Sequence, residues 1–124
     1  MLRKYAMIGA FIALLAVVFG AFGAHALKDQ ISEDDLKTFE TGVRYQMYHG
    51  LGLLLIALLG DRFGSGKKMV WAGRLLVLGV ILFSGSLYGL SLTGLTFFGP
   101  ITPLGGVSFI AGWLCVILAA RKAQ

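Results

Sequence analysis

The sequence predicts an all-α polytopic membrane protein: an antiparallel bundle of four transmembrane helices, with a short amphipathic helix between the first and second. Three observations predict it. Hydrophobic residues make up 57% of the 124-residue chain and charged residues only 14%, against ~25% charged in a soluble domain. Too little polar material is present to coat a globule, and the length suits a single domain. The apolar residues form long runs with the charges between them, and lysine and arginine gather in alternate connections.

The elements follow in order. Tyr5 to Leu27 carries no formal charge, and a rise of ~1.5 Å per residue takes such a run across the ~30 Å hydrocarbon layer. Leu2-Arg3-Lys4 before it and Ala24-His25-Ala26 at its end imitate a signal peptide. The run exceeds the ~7–15 apolar residues of a signal, so a retained first helix is expected. Ser32 and Asp35 then match a capping box, and Leu36, Phe39, Val43 and Met47 follow at helical spacing. They predict a short interfacial helix from Glu33, bent at Gly42, that caps the bundle or gates it.

Tyr45 to Gly60 is the second span, with Tyr45 and Tyr48 at the depth of an interfacial aromatic belt. Met69 to Leu92 is the third, and Arg74 near its start can snorkel to the headgroups. Thr102 to Ala120 is the fourth, with Thr102 as N-cap and Pro103 at the first helical position. Eight of the eleven Lys and Arg residues (Arg3, Lys4, Arg62, Lys67, Lys68, Arg74, Arg121 and Lys122) fall on one side of this topology. The positive-inside rule puts that side, and both termini, in the cytoplasm of a cell with the bundle in its inner or plasma membrane.

Small residues mark packing seams: Ala6, Ala10 and Ala13, then Ala16, Gly20 and Ala24 in span one, Gly85 and Gly89 in span three, Ser108 and Gly112 in span four. Membrane helices associate through such close approach. Self-association or a place in a larger membrane complex is the protein partner this pattern permits; membrane lipid is the other partner.

The chemistry-bearing residues collect at one end. Span one ends outside, span two begins there and span three ends there. His25, Arg44, Tyr45, Gln46, Tyr48, His49, Ser84, Tyr88 and Ser91 are therefore expected in the outer half, with nothing comparable inside. Ser84, Tyr88 and Ser91 share one face of span three, and Tyr45 and His49 one face of span two. An ionisable group within a span is a functional candidate, and His49 lies several residues in. The first reading is a hydrogen-bond network that locks helices together. Others are a lipid, quinone or proton site, or a haem held by His25 and His49.

Several classes are excluded. Two histidines fall short of the three or four ligands of a zinc site. Cys115 stands alone within an apolar run. The basic residues form no face with interleaved aromatics, so nucleic acid is not a partner. Gly64-Ser65-Gly66-Lys67-Lys68 fails the phosphate-loop pattern because Lys68 stands where Ser or Thr is required. No serine has a nucleophile-elbow setting. A non-catalytic protein without a cofactor is expected.

Phe22-Gly23-Ala24-His25-Ala26-Leu27, Arg44-Tyr45-Gln46-Met47-Tyr48-His49, Ile101-Thr102-Pro103-Leu104-Gly105-Gly106 and Gly112-Trp113 resemble the domain-of-unknown-function family 423, the YgdD-like and YwdK-like small inner-membrane proteins. The resemblance covers nearly the whole chain. It implies a four-helix membrane protein and directs attention to Arg44, Tyr45, Gln46, Tyr48 and His49. Gly50 and Gly52 stand where that family commonly has alanines, a departure expected to loosen span two.

Overall fold

The computed structural model describes residues 2–63 and 66–122, all helical apart from short turns. Gly64 and Ser65, from the rejected phosphate-loop run, lie outside them. Helix α1 (Leu2–Phe22) continues through a π-helical turn at Gly23–Leu27, and α2 (Glu33–Phe63) follows. Helix α3 (Lys67–Gly79), a second π turn at Val80–Ser84 and α4 (Gly85–Thr93) form one rod. A short 3₁₀ turn leads to α5 (Ile101–Lys122). Among the described residues, three helical stretches are long and apolar enough to cross a membrane: Arg3–Leu27, Lys67–Thr93 and Thr96–Arg121.

Helix α2 is not among those three. It carries charge at both ends, and the uncharged part from Tyr45 to Gly60 is shorter than the ~20 residues of a usual crossing. The expected interfacial helix and second span are one unbroken helix of 31 residues. Ser32 does start it, its Oγ accepting from the Asp35 N–H at 3.1 Å. Gly42 makes no break. A Cβ there would meet the Tyr88 ring at 2.8 Å, so the glycine admits a neighbouring aromatic.

The bundle has an apolar core around Leu53, Ile56 and Leu76, yet it also buries polar residues and exposes large apolar ones. Gln46, His49 and Ser84 are at most 5% exposed, whereas Met7, Leu58 and Val107 exceed 60%. Met7, Phe11, Leu14 and Val18 line the outer face of α1, and Leu104, Val107, Ile110, Leu114 and Ile117 that of α5. Contiguous apolar faces of this size suit lipid, not water. Helix α1 packs chiefly on α2, and α3 on α5, with α2 also lying against the α3–α4 rod and α5.

Close approach fixes these pairs. A Cβ on Gly9 would sit 2.6 Å from the Gly50 carbonyl oxygen, and one on Gly50 would sit 2.9 Å from the Ala13 nitrogen. The α1–α2 crossing is thus backbone on backbone. Gly52 likewise leaves room for the Trp113 ring, 3.0 Å from a Cβ there. Gly50 and Gly52 tighten α2 where they were expected to loosen it. Other seams divide. Ala16 is buried and Gly112 faces Leu76, but Ala10 and Ala24 are exposed and a Cβ on Gly85 would meet nothing. Gly85 and Gly89 both lie in α4, yet only Gly89 meets a neighbour, the Phe98 ring, 2.6 Å from a Cβ there. Gly94, in the left-handed region at φ 74°, ends α4.

Candidate functional site

The site grows from Gln46, on the face of α2 turned toward α1 and α4. Its Nε2 donates to the Ile12 carbonyl at 3.0 Å, and its Oε1 accepts from the Tyr88 hydroxyl at 2.5 Å. A carbonyl can only accept, so the amide orientation is fixed by its partners. Tyr88 packs between Phe39 and Phe19, with ring centroids 5.0 and 5.4 Å away. One turn before it, Ser84 Oγ donates to the Gly42 carbonyl at 2.7 Å. Ser91 donates to the Tyr88 carbonyl at 3.2 Å. Of the expected face of Ser84, Tyr88 and Ser91, the first two bond to α2, and Ser91 is buried and bonds within its own helix.

His49 lies near the middle of α2 and is 5% exposed. Its ring stacks on Phe109, centroids 3.5 Å apart and planes within 7°. Nδ1 is 2.7 Å from the Tyr45 carbonyl, and Nε2 accepts from Trp113 Nε1 at 3.1 Å. Indole N–H only donates and a carbonyl only accepts, so one neutral tautomer, protonated on Nδ1, satisfies both ends. Tyr45 stacks beside His49, centroids 6.2 Å apart, and tilts against Phe83.

The other expected residues do not join. His25 is exposed, on the π turn that ends α1, whose Gly23 and Leu27 are buried. Arg44 is exposed and donates to Thr41 Oγ1 at 3.2 Å. Tyr48 is 53% exposed and meets the cluster only edge-on at Tyr45. The described geometry lends the haem reading no support: His25 is exposed, and the free lone pair of His49 accepts from Trp113. Among the described residues no three His, Cys, Asp or Glu side chains group as metal ligands.

Several contributors were missed. Trp113 and Phe109 complete the His49 setting. Ser108 Oγ donates to the Leu75 carbonyl at 2.6 Å, and Ser86 shares a 2.6 Å hydrogen bond with Thr102. Thr102 lies within α5 rather than capping it, since the helix begins at Ile101. The inner half was expected to hold nothing comparable, yet Tyr5 donates to the Val70 carbonyl at 2.6 Å, linking α1 to α3. Its signal was a tyrosine beside two cations at the start of a span. Among the described residues, every buried side-chain nitrogen and oxygen has a partner.

Buried polar groups joined helix to helix inside a shell of exposed apolar side chains define an all-helical membrane protein. The chain matches, over residues 19–106, the family described as "Protein of unknown function (DUF423)" and belongs to it. It is 47% identical over 121 residues to the UPF0382 membrane protein YwdK of Bacillus subtilis, with 98% of each chain covered. It is 46% identical over 121 residues to a UPF0382 membrane protein of Staphylococcus epidermidis, with the same coverage. No solved structure matches it significantly.

Proposed function

We propose that the protein is a non-catalytic accessory or structural component of the cell membrane that crosses it four times with both termini in the cytoplasm. The observation that carries this reading is the commitment of the polar cluster: His49, Gln46, Tyr88 and Ser84 each spend their hydrogen bonds on another helix or on the backbone. A group that binds substrate or moves protons keeps a donor or acceptor facing a cavity.

The fourth crossing is supported by α2 itself. At ~1.5 Å per residue its 31 residues extend about 46 Å. It contacts α1 from Gly50 beside Gly9 to Phe39 beside Gly23. A helix paired so far along a lipid-spanning neighbour shares its depth. Arg3, Lys4, Arg62, Lys67 and Arg121 fall at the same ends of antiparallel helices, which supports the cytoplasmic assignment. The apolar faces of α1 and α5 remain for lipid or for a protein partner.

Native mass spectrometry of the full chain, released from its membrane in mild detergent, tests the role. The expected result is a defined assembly with another membrane protein or with further copies. A lone chain carrying a small molecule that His49→Ala abolishes would favour a carrier and overturn the proposal.

A further inference from the structure

We infer that the furrow between the inner ends of α1 and α3 binds one anionic glycerophospholipid. The furrow encloses about 360 Å³. Lys4 and Arg74 stand toward its cytoplasmic end, and Ile8, Val77, Leu78 and Ile81 continue it into the apolar depth. Both helices start on the cytoplasmic side in the proposed topology, so residue number increases with depth on both walls. The cations therefore meet the headgroup region, and the aliphatic wall meets an acyl chain.

Arg74 is held in a suitable pose. Its guanidinium carbon lies 5.1 Å from the centre of the Trp71 ring, one turn nearer the helix start. The side chain thus runs back along α3 toward the interface, as a snorkelling arginine does. Tyr5 closes the floor by donating to the Val70 carbonyl at 2.6 Å, which fixes the spacing between the walls.

Charge complementarity selects an anionic lipid. No acid is among the residues lining this furrow. The cavity at Arg44 has Glu40 in its lining, and the one at Arg62 has Asp61, so each includes a carboxylate as well as its cation. Only the α1–α3 furrow, of these three, presents two cations unopposed. The apolar wall reaching about two turns beyond Arg74 matches a lipid tail and gives free phosphate nothing to contact.

The test uses the full chain in nonionic detergent, titrated with phosphatidylglycerol or phosphatidylcholine of identical acyl chains and read by native mass spectrometry. A cation near an anionic headgroup contributes about fivefold in affinity, so the two together predict a phosphatidylglycerol preference of about 25-fold. Lys4→Gln and Arg74→Gln should each lower it about fivefold, and Arg62→Gln should leave it unchanged. Equal binding of the two lipids by the wild type overturns the proposal. So does an undiminished preference in Lys4→Gln, whose exposed side chain makes that variant safe for folding. An equal loss in Arg62→Gln would reveal attraction by overall charge, and displacement of the lipid by equimolar inorganic phosphate would make phosphate the ligand; either result also overturns it.

Discussion

Removing the Tyr88 hydroxyl isolates what the polar network contributes. In Tyr88→Phe the ring keeps its packing against Phe39 and Phe19, but Gln46 Oε1 loses its 2.5 Å donor. Gln46 is 4% exposed, so no solvent replaces it. An orphaned buried acceptor costs about 1–3 kcal/mol. Hydrogen bonds between membrane helices average about 0.6 kcal/mol and reach about 1.7. The orphan therefore dominates over the lost bond, and a loss of about 1–2 kcal/mol is expected. Gln46→Leu strands the tyrosine hydroxyl instead and releases the Ile12 carbonyl, which keeps its helical partner; about 1 kcal/mol is expected. With both changes made, neither orphan remains, and the double variant should be more stable than the summed single effects imply by about 1 kcal/mol. Reversible unfolding in mixed detergent, followed by circular dichroism, measures all four corners of the cycle. Effects additive within about 0.3–0.5 kcal/mol would refute the coupling and the role given to Gln46.

Three further outcomes are expected. Gly9→Ala places a methyl group against the Gly50 carbonyl, and α1 must retreat by roughly 0.8 Å to reach ordinary contact; overpacking of about 1–3 kcal/mol exceeds the ~1 kcal/mol gained in helix propensity, so the midpoint of thermal unfolding falls, whereas Gly85→Ala meets nothing and leaves it level or higher. His49→Ala removes the ring stacked on Phe109 and strands the Trp113 N–H, which should lower stability by about 2–4 kcal/mol in the same unfolding assay. A reporter fused to the C-terminus should be active only as a cytoplasmic reporter, with a periplasmic-type signal refuting the topology.

Some of this was legible in the residues and some was not, for physical reasons. The lipid-facing runs and the shared face of Ser84, Tyr88 and Ser91 follow from hydropathy and helical spacing. The capping role of Ser32 was legible because a side-chain oxygen three residues from an acceptor-seeking N–H is a local device. The length of α2 was not. Gly42 looked like a bend, but Tyr88 needed the missing Cβ, and that requirement arises 46 residues away. Trp113 carried part of the family resemblance but no role; its N–H acquires one only when α5 brings it to His49. His25 and His49 looked alike in sequence and part company in the structure, where His25 is exposed on the π turn at Gly23–Leu27 and His49 is buried in α2.

The network also answers how a bundle made largely of leucine, alanine and glycine keeps one register. Lipid tails are as apolar as the side chains, so sliding one helix along another forfeits little by exposing leucine. Donor–acceptor pairs behave differently. Tyr5 to Val70, Gln46 to Ile12, Tyr88 to Gln46, Ser84 to Gly42, Trp113 to His49, Ser108 to Leu75 and Ser86 to Thr102 tie every helix to at least two others. At the average measured for membrane helices these seven contribute about 4 kcal/mol together. That is modest beside total packing, yet displacement by one turn, ~5.4 Å, breaks every bond a helix makes and leaves its groups unpaired in hydrocarbon, where each orphan costs several kcal/mol. The penalty for the wrong arrangement thus exceeds the gain from the right one. This asymmetry lets polar residues specify the fold of a protein whose apolar surface is nearly indifferent to it, and it accounts for their burial without assigning any of them to a substrate.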